Sequence, residues 1–469
     1  MLLVAFLRHV GNQLHSPTRF FALALRRASM MNARRFIPSQ LDGIEDIEDY
    51  HPGGYHPISI GDTFDHGRFR IFHKLGFGGS STVWLARDQR QEGDLSRLVA
   101  LKAMRADVSS SKVMSEIPEL VISHRLRASL PPSDSGLFQT ADLHFFIQGP
   151  NGSHLFLIFP LAGPSILDMC DSPGRTAGSR RLPTDLARKV AKQSTMMIHH
   201  LHRHSSWRIS HPDLTTSNIL FRLLPHFTSL SDAEVYAHLG DPETENVRTC
   251  DGQPPSPHAP TMLVAPVQNS KISDAAPLQE NIVISDFGQS YIVASPPSSY
   301  EPGTVLNYQP PEARFEGRVG FETDIWALGC AIFEINAGFA LFDPFLASDI
   351  DILRQMVETL GRLPDPWWSA FKERAIWFEE DGQPKSEQDQ ERAGVLLKAY
   401  KDSIKAKLLG ISEEGDPSLE DEGPMIEKPG VRLREEEVAL LADLLEKMLK
   451  YIPEERLRIQ DVIQHPYFT

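Results

Sequence analysis

Two stretches decide the fold: His211-Pro212-Asp213-Leu214-Thr215-Thr216-Ser217-Asn218-Ile219-Leu220 and Ile282-Val283-Ile284-Ser285-Asp286-Phe287-Gly288. In the first, a carboxylate and an amide share one loop and can divide two jobs. Asp213 can accept the proton of an attacking hydroxyl, while Asn218 offers a carbonyl oxygen to Mg²⁺. In the second, Asp286 follows an apolar strand and adds a further hard oxygen. That donor chemistry suits Mg²⁺, which retains waters and takes nucleotide phosphates as ligands. Either aspartate alone reads equally as a helix or turn cap. Their order and spacing together favour the chemical reading.

Upstream lies Leu75-Gly76-Phe77-Gly78-Gly79-Ser80-Ser81-Thr82-Val83, a glycine-rich turn between two short apolar strands. Gly76 and Gly78 let backbone N–H groups approach a phosphate that a Cβ would hold away. Ser81 stands where a third glycine would complete the usual pattern, so this signal is weak by itself. The next strand carries Val99-Ala100-Leu101-Lys102. A lysine inside an apolar strand needs an anionic partner unless it snorkels to solvent. Triphosphate oxygens and a helix carboxylate would serve. Glu119 is the candidate, because Glu119, Ile122 and Leu126 have helical spacing; Glu116 is its rival, since Pro118 could delay the helix start.

The ordered set Gly76-x-Gly78, Val99-Ala100-Leu101-Lys102, His211-x-Asp213…Asn218 and Asp286-Phe287-Gly288 resembles a eukaryotic protein kinase. Pro310-Pro311-Glu312 is similar to the end of that family's activation segment, and Asp324-Ile325-Trp326-x-x-Gly329 to the helix that follows. Arg456 stands where the family places the arginine that pairs with that glutamate. LGFGGSSTVWLARD, GPNGSHLFLIFPLAG and the long spacer before Asp286 resemble the kinases of serine/arginine-rich splicing factors. The resemblance implies an α+β bilobal fold, with a small β-rich N-lobe (69–161) and a larger, mainly helical C-lobe (162–469). It implies ATP and Mg²⁺, with Phe159 as gatekeeper and the Pro160 carbonyl and Ala162 N–H on adenine. Leu75, Val83, Ala100 and Leu220 would sandwich the ring. Lys102 and Glu119 would position phosphates, Asp213 would act on the acceptor hydroxyl, and Asn218 and Asp286 would hold metal. It further implies a basic Arg/Ser-rich protein substrate, a monomer, and a cytoplasmic and nuclear location. Asp349 and Asp351, in a stretch similar to the family's docking insert, are candidate docking acids.

Two departures matter. Pro212 replaces the arginine that clasps a phosphorylated activation loop, which predicts a segment arranged without phosphate. Thr215 replaces the lysine that steadies the transferring phosphate, at a cost of about 2 to 4 kcal/mol by analogy with a lost oxyanion donor. Slow or specialised turnover is the expectation. A pseudokinase scaffold and a small-molecule phosphotransferase of the aminoglycoside-kinase type are the alternatives.

Composition is compatible. The 469 residues are 41% hydrophobic and 23% charged, an ordinary globular balance rather than a disordered one. A net charge of -15 argues against general nucleic-acid binding and leaves basic partners open. Three scattered cysteines write neither a disulfide framework nor a zinc cluster, and the opening apolar run from Met1 to Leu7 is too short to span a membrane. Residues 1–41 hold arginines and no acid, which reads as a mitochondrial transit peptide or a disordered basic arm. Residues 42–68 read as an extension of the kinase domain. Residues near 184–203 read as an amphipathic helix, with further apolar helices at about 324–338, 350–360 and 435–450. Residues 225–278 show little periodicity and read as a long, partly disordered insert. The histidines around His199–His204 are read as a helix C-terminus rather than a metal site, and Trp367-Trp368 as core or docking surface.

Overall fold

The computed structural model describes residues 34–89, 96–110, 116–131, 134, 136–170, 180–203, 208–268, 278–294, 303–344, 348–411, 425–428 and 430–469. Most of the basic leader (1–33) lies outside these.

The small lobe is an antiparallel sheet of six strands: β1 (Thr63–Phe64), β2 (Phe69–Gly78), β3 (Ser81–Asp88), β4 (Arg97–Met104), β5 (Leu143–Gly149) and β6 (Gly152–Pro160), in the order β1-β2-β3-β4-β6-β5. Alternation along β4 sends Val99, Leu101 and Ala103 into one apolar cluster with Phe69, Trp84 and Phe156. Ala100 and Lys102 share the other face, which looks into the cleft. Helix α1 (Ala106–Ser110) follows β4, and α2 (Pro118–Ser129) packs against the turn Phe287–Gln289. Pro118 occupies the first turn of α2, where its missing N–H costs nothing, so the proline starts the helix and does not delay it.

The large lobe is mainly helical. Helix α3 (Thr184–Arg203) has the bounds its periodicity predicts and buries Leu186, Val190, Met197 and Leu201. It packs against β7 (Ile209–Ser210), β11 (Leu278–Ile284) and the central helix of the lobe, whose bounds follow below. Strands β8 (Ile219–Leu223) and β11 form a hairpin-like pair that carries the two motif loops, and β12 (Tyr291–Ile292) pairs with β7. The bilobal α+β architecture is the one the resemblance implies.

Two sequence expectations are corrected. The insert is not a disordered spacer through its first part. Residues 225–268 form helix α4 (Asp232–Leu239), opened by a Ser231–Glu234 capping box, and the strand pair β9 (Thr244–Asn246) and β10 (Met262–Val264). Val235 and Leu239 cover Phe72, Leu85 and Leu98 on the outer face of the sheet, and the apolar gain orders the segment. Residues 269–277 lie outside the described ones.

The leader also ends earlier than residue 41. Arg35 pairs with Glu48 at 2.9 Å, and Phe36 is buried beside Ile47, Tyr50 and Leu263. Residues 34–41 therefore belong to the folded body. Among the described residues no helix is long and apolar enough to cross a membrane.

Beyond β12 the chain runs through α5 (Pro311–Glu316), the buried central helix α6 (Phe321–Ala337), α7 (Asp349–Leu360) and α8 (Glu435–Met448). Trp367 and Trp368 sit in a satellite apolar cluster with Phe371 and Phe378, as core.

Candidate active site

Lys102 reaches the cleft from β4. Its ammonium donates to both carboxylate oxygens of Glu119, at 3.0 and 2.9 Å, and to Asp286 Oδ1 at 3.1 Å. Glu119 is buried in the first turn of α2, whereas its rival Glu116 is exposed ahead of the helix. Burial works against the Lys102 charge, but Asp286 and Glu119 overcome it and hold the pKa above the ordinary lysine value. The same ammonium keeps Asp286 below the usual carboxylate range. Three groups from two lobes thus meet in one charged cluster.

Asp286 adopts a left-handed backbone conformation, φ 55° and ψ 73°, which a non-glycine residue seldom takes. Its side chain accepts from the Gly288 N–H at 3.2 Å. Phe287, buried between Phe138 at 5.9 Å and His211 at 5.0 Å, anchors this turn.

The companion loop is laced to it by hydrogen bonds. His211 Nε2 lies 3.0 Å from the Ser285 carbonyl, and the Ser285 N–H donates to the Asn218 carbonyl at 2.9 Å. Asn218 Nδ2 donates to the Asp213 backbone oxygen at 2.8 Å and to Oδ2 at 3.2 Å. Burial raises the Asp213 carboxyl to about 6, with Asp286 adding to the effect against His211, Asn218 and Lys102.

Below the loop, Asp324 on α6 is fully buried. It accepts from the His211 N–H at 3.0 Å and the Ser210 hydroxyl at 2.8 Å, and lies 2.7 Å from His202 Nε2. That contact gives His202 of the histidine run a structural partner.

The metal expectation can be set against the donors present. Asn218 commits its amide nitrogen to Asp213, which leaves the oxygen end for a cation, and Asp286 supplies a carboxylate. Among the described residues no group of three or more His, Cys, Asp or Glu gathers as a cage. A site of two protein oxygens completed by phosphates and water is the arrangement Mg²⁺ favours, so the residues fit.

The adenine candidates come from the small-lobe sheet, except Ala162, just past β6, and Leu220, which lies on β8 of the large lobe. Ala100 lies opposite Phe159 and Val99 opposite Pro160 in the β4–β6 register. Leu75 and Val83 pack, partly buried, against the Ala100–Phe159 cluster, and Gly76 pairs with Val83. Leu220 is partly buried and joins Ser165 by an isolated bridge just beyond Ala162. The Pro160 carbonyl also accepts from Gln139 Nε2 at 3.0 Å, so an adenine donor there would share it. Gly78 lies at the hairpin tip opposite Ser81.

Further out, Arg456 donates to both oxygens of Glu312, at 2.7 and 2.6 Å, with both side chains essentially buried. The Thr304 hydroxyl donates to the Pro212 carbonyl at 2.8 Å, and the Tyr308 hydroxyl bonds Thr216 and Glu334. These hydrogen bonds hold the segment from Thr304 onward where the arginine–phosphate clasp is missing. Phosphatase treatment is therefore expected to leave activity unchanged; a large loss would overturn this account.

Thr215 is itself buried, 2.6 Å from the Ser217 hydroxyl. Asp351, a candidate docking acid, is buried against Arg354 at 2.7 Å and is not available to a partner. Asp349 is more exposed but pairs with Arg314. Sequence reading assigned no role to Glu45, Tyr55 or Lys74, which the structure places around the glycine-rich hairpin.

The chain is also similar in sequence to known proteins. The protein kinase domain family model matches residues 272–468. "Serine/threonine-protein kinase SRPK" of Physarum polycephalum is 26% identical, over 91% of this chain and 91% of its own. "Protein kinase dsk1" of Schizosaccharomyces pombe is 25% identical over 68% of this chain and 71% of its own. Human "SRSF protein kinase 3" is 31% identical over 39% and 32% respectively.

Proposed function

We propose that this chain, which matches the protein kinase domain model over residues 272–468 and resembles the SR protein kinases, transfers the ATP γ-phosphate to serine or threonine hydroxyls of Arg/Ser-rich proteins linked to splicing. The observation that carries the reading is the meeting of Lys102, Glu119 and Asp286, with Asp213 and Asn218 on the adjoining loop. Those are the parts phosphoryl transfer needs, because positioning and electrostatics do most of the work.

In this reading Lys102, steadied by Glu119, fixes the α/β-phosphates. Asp286 and Asn218 would hold Mg²⁺, which supplies positive charge against the phosphate oxygens. Asp213 orients the acceptor hydroxyl. As that oxygen bonds to the γ-phosphorus, the bond to the ADP oxygen breaks and the hydroxyl proton passes to Asp213. Thr215 leaves one cation fewer near the developing charge, so turnover is slow or specialised.

The acidic net charge suits a basic acceptor. Cytoplasm and nucleus are the proposed location, following the resemblance, and the chain acts as a single copy.

The test is radiolabelled transfer from Mg-ATP to an Arg/Ser peptide, with Asp213→Ala as background. Label on the peptide above that background is expected. Label at background on the peptide, whether or not an aminoglycoside acceptor is labelled, would defeat the proposal.

A further inference from the structure

The chain from Arg35 to Tyr55 and the insert around β9 and β10 build one composite layer that ends on the glycine-rich hairpin. The Ile37 N–H donates to the Arg248 carbonyl and the Cys250 N–H to the Arg35 carbonyl, at 2.8 and 2.9 Å. Glu245 accepts from the Ser39 hydroxyl at 2.5 Å and the Gln40 N–H at 2.7 Å. Between them, Phe36, Ile47, Tyr50, Tyr55, Ala259 and Leu263 form an apolar core of their own.

This layer grips β2 at two points. Lys74, with no exposed surface, pairs with the buried Glu45, and Glu45 also accepts from the Tyr50 hydroxyl at 2.5 Å. The Lys74 carbonyl accepts from the Val267 N–H of the insert at 2.9 Å. A buried ion pair of this kind fixes register more than it adds stability.

The second point is Tyr55. Its hydroxyl donates to the Gly78 carbonyl at 2.8 Å, at the tip of the hairpin. Its backbone carbonyl accepts from Asn151 Nδ2 at 2.6 Å, and the same amide nitrogen reaches the His258 carbonyl of the insert at 2.7 Å. The Arg105 guanidinium lies 5.1 Å over its ring, and the Arg105 N–H donates to the Ser80 carbonyl at 2.8 Å. Gly54 before it admits no side chain, because a Cβ would stand 1.9 Å from the Asp49 carbonyl oxygen. Tyr55 is thus held on several sides, with one polar atom on the hairpin.

We infer that Tyr55 is a positioning residue for the nucleotide, fixing the glycine-rich turn through Gly78, and that the N-terminal segment and the insert hold it there jointly. The inference rests on the kinase reading above. A glycine-rich turn lacks side chains to hold itself and is entropically costly to order. An outside hydroxyl that restrains it before nucleotide arrives lowers the cost of binding.

The test compares Tyr55→Phe, which removes one oxygen and keeps the ring, with wild type. In the nucleotide-free protein, hydrogen exchange at the amides of 76–82 is expected to quicken. Mg-ATP binding, followed with a fluorescent nucleotide, is expected to weaken roughly two- to tenfold, the worth of one neutral hydrogen bond. The KM for ATP rises by the same factor, while kcat at saturating ATP and the KM for acceptor peptide stay level. A purely structural role would lower the melting temperature and the active fraction without moving the KM for ATP, and would overturn the inference. Equal exchange, or equal nucleotide affinity, would also overturn it. Tyr55→Leu extends the series should the phenylalanine effect fall at the low end. Wild-type protein that binds no Mg-ATP would defeat the kinase reading and the inference together, which is distinguishable from equal binding by both forms.

Discussion

Asp213→Asn is expected to lower kcat by about 10²- to 10⁴-fold, the range a positioned acid–base group contributes. Nucleotide affinity should hold, because Asp213 bonds Asn218 within its own loop and Lys102 keeps its contacts with Glu119 and Asp286. Only the ionised carboxylate accepts the hydroxyl proton. With its pKa raised to about 6, the group loses that form as pH falls through this value. The kcat/KM profile of wild type should accordingly lose activity on the acid side near pH 6, and the residual rate of the variant should lack that limb. A variant within tenfold of wild type, or one that keeps the limb, would remove Asp213 from the chemistry.

The largest stability effect is expected at Arg456. Its guanidinium and the Glu312 carboxylate are shut off from solvent together, and it also donates to the Glu322 and Lys450 carbonyls and lies 5.0 Å from the Trp326 ring. Arg456→Met leaves a buried carboxylate without its cation, a loss of about 3–5 kcal/mol. Denaturant unfolding measures it. Arg456→Met with Glu312→Gln should recover part of the loss, because the uncompensated charge is gone. A cost below about 1 kcal/mol, typical of an exposed pair, would contradict the burial seen here.

The groups in the cleft were legible because each lies within a short local pattern. The helical spacing of Glu119, Ile122 and Leu126 marks the carboxylate's helix, although Pro118 left Glu116 in contention, and the apolar alternation of β4 assigns Lys102 to a face. The period of Leu186, Val190, Met197 and Leu201 sets α3. The ordered insert was harder to read, since β9 and β10 are three-residue strands, too short for alternation to register. A cue did exist in Ser231-x-x-Glu234, the capping box that opens α4. The pairing of Asp351 did have a local cue, because Arg354 follows it at helical spacing and takes up its charge, an arginine shared with Glu358. Glu45 and Lys74 left no such trace. They are far apart in sequence, and only tertiary packing joins them.

Asp324 has one further consequence. By bolting the catalytic loop to the centre of the large lobe, it makes that side of the cleft a fixed jaw. Any breathing of the cleft then falls on the moving jaw, which touches the fixed one at Lys102 and Asp286. A spectroscopic ruler spanning β4 and the turn of Asp286 would act as a gauge of how wide the vice stands.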